Sequence, residues 1–303
     1  FLIWTRSPLP CKSVVCSVAI TSYIFPRVYY YNIYLIFHLS FTIDYCEVTF
    51  LLQLKLYGDI EQLRQKPESA LVLANHQSDV DWAVIVMLAQ RQGAEGSDAG
   101  FRVMVKHVIH YVPLFGWYIF QHGYIYVRRF GEFLSAPVLK QLAWLDTIDE
   151  KFWLLVFPEG TRYSLKRKEN ILVSQEFCRR KGIPEFKNVL SPRAGGAFMA
   201  LENLESLDAV YDVTIAYGQT RLPNRRGLAP NMFEFCCGSP AAKTLSVHVK
   251  RYPAEQLHKN SRKELQDWII QAYYEKDKYV LATKSSSKSS FCILSSKISF
   301  LSS

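Results

Sequence analysis

The chain has 303 residues, enough for one large domain with appended ends or for two domains. Its 49% hydrophobic and 21% charged residues are globular averages, which excludes a disordered tail protein or a collagen, and no internal repeat marks a solenoid. Thirty-six Lys and Arg against 27 Asp and Glu leave a formal net charge of +9, which favours anionic partners: phosphate groups, acidic lipid surfaces or nucleic acid.

Residue 1 is Phe and the first methionine is Met87, so a missing or processed amino-terminal segment is expected. Residues 14–43 are mostly apolar and aromatic, interrupted by Pro26 and Arg27, and the stretch 28–43 contains no Asp, Glu, Lys or Arg. Neither half reaches the ~20 residues of a straight spanning helix. The Tyr29-Tyr30-Tyr31 cluster suits an interfacial belt leading into a short or tilted membrane segment; the alternative is a buried core helix.

Residues 70–75 (ALVLAN) then read as a buried strand, and 79–90 (DVDWAVIVMLAQ) as a helix with an apolar face. Further strands are expected at 101–106, 123–127, 152–157 and 210–216, with helices over 134–150, 174–181 and 194–202. Such alternation argues for an α/β sheet with helices packed on it, in which ligands collect beyond the carboxyl ends of the strands. Residues 281–303 hold ten serines, three lysines and no acid, a composition expected to stay disordered. The seven cysteines are odd in number and lack C-x-x-C or His spacing. Neither a zinc site nor a disulfide framework is expected.

Three strings can carry chemistry. In Asn75-His76-Gln77-Ser78-Asp79-Val80-Asp81, His76 ends a strand and Asp81 opens a helix, so a carboxylate can hold one imidazole tautomer and make a general base. Asp79 competes as the partner, and taken singly the pattern more often marks capping or packing. In Phe157-Pro158-Glu159-Gly160-Thr161-Arg162, Pro and Gly end a strand and present Glu159, Thr161 and Arg162, whose guanidinium can fork onto a phosphate; taken alone, the string reads better as an ordinary turn with Glu159 paired to Arg162. In Gly123-Tyr124-Ile125-Tyr126-Val127-Arg128-Arg129, a strand ends in two guanidinium groups, or is a solvated edge strand. The basic runs 166–168 and 179–181 and the arginines 221, 225 and 226 read most simply as solvated faces or headgroup contacts. None is interleaved with aromatics as single-stranded nucleic acid binding requires. G-x-S-x-G, P-loop, H-E-x-x-H and G-x-G-x-x-G signatures are absent.

His-x-x-x-x-Asp, Gly-x-Ile-x-x-x-Arg and Phe-Pro-Glu-Gly-Thr-Arg, in this order on successive strands, resemble the glycerolipid acyltransferase family. The surrounding text of residues 73–78, 111–116, 120–123, 189–193 and 211–215 is most similar to the epsilon-type branch of its 1-acyl-sn-glycerol-3-phosphate acyltransferases. The resemblance covers roughly residues 55–280. It implies an α/β glycerolipid acyltransferase fold, a mixed sheet flanked by helices; the residues at the ends add a hydrophobic membrane-associated helical segment over 1–54 and a Ser/Lys-rich tail over 281–303, the latter standing where the family has hydrophobic segments. It further implies acyl transfer from acyl-CoA, a co-substrate rather than a cofactor, to the sn-2 hydroxyl of lysophosphatidic acid, with His76 as base, Asp81 orienting it, and Gly123, Arg129, Glu159, Gly160, Thr161 and Arg162 at the acceptor phosphate. No metal, other cofactor or nucleic acid is expected; membrane lipids are. The implied location is the endoplasmic reticulum membrane, with mitochondrial or nuclear envelope membranes as alternatives. Other lysophospholipid acceptors, such as lysocardiolipin, and a catalytically silent lipid-binding protein are the competing expectations.

Overall fold

A computed structural model of the chain describes residues 53–281, apart from 94–95, 98–99, 112–115, 117–118, 121–122, 128–134, 149, 223–224, 239–240, 242–243 and 259–260. The expected membrane segment up to residue 52, the serine-rich tail from residue 282 and Arg129 therefore lie outside the described residues. No helix among the described residues is long and apolar enough to cross a membrane.

The strands are β1 (Gln53–Gly58), β2 (Ala70–Ala74), β3 (Phe101–Lys106), β4 (Ile125–Val127), β5 (Trp153–Val156), β6 (Ala209–Tyr217), the short pair β7 (Arg221–Leu222) and β8 (Arg225–Arg226), and β9 (Thr244–Pro253). The helices are α1 (Ile60–Gln65), α2 (Asp81–Ala89), α3 (Ser135–Asp146), α4 (Lys168–Lys181), α5 (Gly195–Asn203), α6 (Met232–Cys237), α7 (Ala254–His258) and α8 (Arg262–Leu281). Seven strands form one sheet in the order β1-β9-β6-β2-β5-β3-β4. All neighbours are parallel except β6 and β9, which run antiparallel through nine paired positions, so the sheet is mixed, as expected.

β2 and β5 are apolar without interruption because both their faces are covered, and β6 departs from this only at Asp212 and Thr214 among its apolar and tyrosine residues. Every residue of β2, β5 and β6 is buried. Alternate side chains feed two cores: Val72, Leu155 and Val213 pack with Val84, Ile85 and Leu88 of α2 on one face, and Leu71, Leu154 and Val210 pack with residues of α3, α5 and α8 on the other. Each fully buried Leu or Val of this kind contributes about 1.5–3 kcal/mol.

The amino ends of the strands are tied by a buried polar network. Arg251 of β9 grips Glu68 with two guanidinium bonds, Nε to Oε2 at 2.9 Å and Nη2 to Oε1 at 2.6 Å, and the Tyr211 hydroxyl donates to Oε2 at 2.6 Å. Gln92 accepts from the Glu68 amide and the Trp153 indole. Because these groups meet protein partners rather than water, the network costs little to bury and fixes this end of the sheet.

The opposite, carboxyl, end is where the chain turns functional. β2 and β5 are adjacent and parallel, yet β2 leads into α2 on one face whereas β5 leads into α4 and α5 on the other. Connections that diverge from neighbouring strands open a crevice beyond the strand ends.

Candidate active site

The crevice is walled by the segments that follow β2, β5 and β6. The His76 imidazole sits over the Phe157 ring, with centroids 4.0 Å apart and planes 18° from parallel, and its Nδ1 lies 2.8 Å from Asp81 Oδ2. Asp81 is fully buried at the start of α2, where the helix amides favour negative charge. Its Oδ2 also accepts from the amides of Gln77, at 2.7 Å, and Ser78, at 2.9 Å, while Oδ1 accepts from the Tyr217 hydroxyl at 2.7 Å. A carboxylate surrounded by donors takes the proton-bearing form of Nδ1 as its fourth, which leaves Nε2 with the lone pair. The His76 side chain is 21% exposed, so that lone pair is within reach of an incoming hydroxyl. Asp79 is not the partner: it faces Arg162, Oδ2 to Nη1 at 3.5 Å.

Tyr217, the last residue of β6, was not legible as a site residue, since 136 positions separate it from Asp81. Burial, with the neighbouring carboxylate, holds its hydroxyl well above the usual range, so it remains a donor. Asn75 and Gln77, which follow β2, are held from the side of β6. Asn75 pairs with both backbone groups of Ile215 at 2.7 and 3.1 Å, and Gln77 Nε2 donates to the Ile215 carbonyl at 2.8 Å. These bonds lock the turn that carries His76.

Glu159 is buried, and its two oxygens accept from backbone amides: His76 at 2.8 Å and Leu190 at 2.9 Å. Gly160, with φ of 69°, takes the left-handed conformation that turns the chain after Glu159. Thr161 and Arg162 follow, and the Tyr163 amide returns to the His76 carbonyl at 2.8 Å. The two motifs are thus one hydrogen-bonded unit. Gly123 stands apart, in the turn before β4, with φ of 64°. A Cβ there would come within 2.6 Å of the Trp144 ring, so the turn itself requires glycine.

A cleft of ≈ 350 Å³ opens beside His76. Gln77, Asp79, Arg162, Lys166, Arg167 and Arg226 contribute to its walls; His76 itself does not. Arg226 corrects the reading of the later arginines as solvated faces. It lies over the Tyr163 ring, Cζ 3.9 Å from the centroid, and donates to the Asn188 carbonyl and, at 2.6 Å, to Gln77 Oε1. Arg221 is also engaged, with carbonyls at the end of α8. The runs 166–168 and 179–181 are exposed, as expected of solvated faces. Among the described residues, no group of three His, Cys, Asp or Glu is placed to hold a metal ion.

Burial pushes the Glu159 carboxyl up to about 8, against the pull of its two amide donors. An unfolded chain releases this proton near 4.5, so between these values the native state holds a proton that the unfolded state lacks. The associated stability is fully present below the unfolded value and is lost as pH rises through about 8. The melting temperature is accordingly expected to fall between pH 6 and pH 9, and Glu159→Gln is expected to flatten that part of the profile. Its amide nitrogen leaves one backbone N–H without an acceptor, a cost of about 1–3 kcal/mol at neutral pH. Parallel melting profiles for the two proteins would contradict this assignment.

Residues 57–218 match the model of the family described as Acyltransferase. The chain is 36% identical over 234 residues to a mouse protein named 1-acyl-sn-glycerol-3-phosphate acyltransferase epsilon, covering 74% of this chain and 62% of that one. It is 30% identical over 227 residues to the 1-acyl-sn-glycerol-3-phosphate acyltransferase 2 of Brassica oleracea, covering 74% and 54%. It therefore spans somewhat over half the length of these relatives. The crystal structure of the 1-acyl-sn-glycerophosphate (LPA) acyltransferase PlsC from Thermotoga maritima aligns with 88% of this chain and 96% of its own, at TM-score 0.49 and 18% identity. On the family match over residues 57–218, which contain His76, Asp81 and the turn around Glu159, the chain belongs to the acyltransferase family.

Proposed function

We propose that this chain transfers a fatty acyl group from acyl-CoA to the sn-2 hydroxyl of 1-acyl-sn-glycerol 3-phosphate, forming phosphatidic acid. The observation that carries the reading is the His76–Asp81 pair at 2.8 Å, set on a rigid turn beside a cationic cleft; the names of the relatives supply the acceptor. His76 Nε2 takes the hydroxyl proton as the acceptor oxygen attacks the thioester carbon. Asp81 stabilises the imidazolium so formed. As the C–S bond breaks, the same proton passes to the departing CoA sulfur, and no acyl-enzyme is needed. Arg162 holds the acceptor phosphate, with Gly160 and Thr161 in the same turn; Gly123, in the turn before β4, and Arg129 are assigned to that phosphate by the family resemblance alone. Glu159 serves it through the backbone, by fixing His76 and the Gly160 turn. Lysophosphatidic acid is a membrane lipid, so the reaction runs at a bilayer surface, for which we propose the endoplasmic reticulum membrane.

The test is transfer from labelled oleoyl-CoA in membranes expressing the full chain, offered lysophosphatidic acid, glycerol 3-phosphate and lysocardiolipin side by side. Phosphatidic acid is expected as the main product. Preferential labelling of another acceptor would move the assignment to that substrate, and no transfer to any of them from folded protein would overturn it.

A further inference from the structure

We propose that Arg226 is a second anchor for the acceptor's terminal phosphate, a specificity-determining residue deeper in the cleft than Arg162. The inference rests on the acyltransferase reading above and names how that site tells a phosphomonoester from other headgroups.

Arg226 belongs to the two-residue strand β8, which pairs with β7 and places the guanidinium in the wall of the cleft. Three contacts fix its orientation: the Tyr163 ring beneath it, the Asn188 carbonyl at Nη1 and Gln77 Oε1 at Nη2. Its Nε is buried and, among the described residues, meets no acceptor. None of these partners is a carboxylate. The acids close enough to act on it electrostatically are Glu159 and Asp277, and both are committed elsewhere. Glu159 accepts from the His76 and Leu190 amides, and Asp277 Oδ1 accepts from the amides of residues 187–189. The two acids that line the cleft are also engaged, Asp79 with Arg162 and Glu234 in the capping box with Asn231.

A half-buried cation with a fixed fork, a buried Nε that meets no acceptor and no ion-pair partner is costly unless an anion meets it. Burial accordingly lowers its pKa from the usual guanidinium range, yet leaves it a permanent charge. Arg162 differs on each count. It is 38% exposed and already faces Asp79 at 3.5 Å, so solvent and a carboxylate screen it. A phosphomonoester entering the cleft gives Arg226 the anion it lacks, and Arg162 closes on the outer oxygens. Gln77, the neighbour of His76 in sequence, holds the Arg226 fork at 2.6 Å, which couples the phosphate's position to the base.

The phosphate could come from either substrate, since CoA also carries phosphates; the proposal commits to the acceptor. Steady-state kinetics of full-length Arg226→Lys in membranes distinguish the two. A point charge replaces the fork, and the KM for lysophosphatidic acid is expected to rise about 10- to 100-fold, the effect of losing charge-assisted bonds to phosphate, with kcat and the KM for oleoyl-CoA within about threefold. Preference for lysophosphatidic acid over lysophosphatidylcholine should collapse with it. A raised KM for oleoyl-CoA alone, or unchanged KM for both substrates, overturns the proposal. So does a parallel loss in kcat and both KM values, which is what a merely structural role predicts. If Arg226→Lys does not fold, Gln77→Ala loosens the fork and keeps the charge. Because Gln77 also holds the turn that carries His76, kcat should fall as well; the acceptor KM should rise about three- to tenfold with the KM for oleoyl-CoA unchanged, and no rise confined to the acceptor KM would overturn the proposal. Wild-type protein inactive on lysophosphatidic acid would instead remove the underlying functional reading.

Discussion

Replacing His76 by Ala is expected to lower turnover by about 100- to 10,000-fold, the usual contribution of a positioned general base, in a protein that still folds. The fold should survive because the structural bonds of this residue are made by its backbone: its amide donates to Glu159 and its carbonyl accepts from Tyr163. Only the stacking on Phe157 and the bond to Asp81 leave with the side chain. Asp81→Asn is expected to act in the same direction but less strongly. An amide oxygen can still accept at the Oδ2 position, whereas the charge that stabilises the imidazolium is gone. The double variant should be no slower than His76→Ala alone, because the two side chains act as a unit and their effects are not additive. Rates are to be measured on protein whose circular dichroism matches wild type. Wild-type turnover in folded His76→Ala would refute the base assignment, and a double variant slower by the product of the singles would refute the coupling.

Most of the sheet was legible because its central strands are short apolar runs bounded by turn residues. The segments expected at 70–75, 101–106 and 210–216 correspond to β2, β3 and β6 within one residue at either end. β9 and α8 do not stand out in the sequence although both carry local signals. β9 contains the alternation Leu245, Val247, Val249, and α8 opens with a Ser261-to-Glu264 capping box whose reciprocal bonds the structure shows. Their charged residues masked them: Lys250, Arg251 and Lys276 look like surface until their buried or paired partners are known. The His76 and Asp81 spacing could be read because five residues span one turn and a helix start. Tyr217, Asn75 and Arg226 could not be placed this way, since each acts on a partner 136 to 149 positions distant. Such contacts follow from strand order, which local periodicity does not encode. Glu159 illustrates the same limit. Its place beside a strand end was evident, but its engagement with the His76 and Leu190 amides depends on where residue 190 returns to the sheet.

Lys276→Met is expected to destabilise the protein by about 3–5 kcal/mol, the penalty for leaving one member of a buried ion pair without the other. The ammonium is fully buried on α8, 2.6 Å from Asp212 Oδ1. It also donates to the Val213 carbonyl of β6 at 2.6 Å and the Leu73 carbonyl of β2 at 3.3 Å. One side chain therefore clamps the helix to the two strands that lead to Tyr217 and His76. Burial lowers its pKa, and the Asp212 carboxylate opposes that shift, so the charge persists because its partner does. Methionine keeps the volume but leaves Asp212 facing an apolar neighbour. Adding Asp212→Asn removes the stranded charge, and the double variant is expected to recover a substantial part of the loss. Denaturant unfolding of the two singles and the double gives the coupling directly. If the double loses the sum of the single effects, the pair is not the clamp and packing alone holds α8 on the sheet. If it recovers stability without recovering turnover, the charge pair also sets the alignment of the β2 and β6 ends on which the His76–Asp81–Tyr217 chain depends.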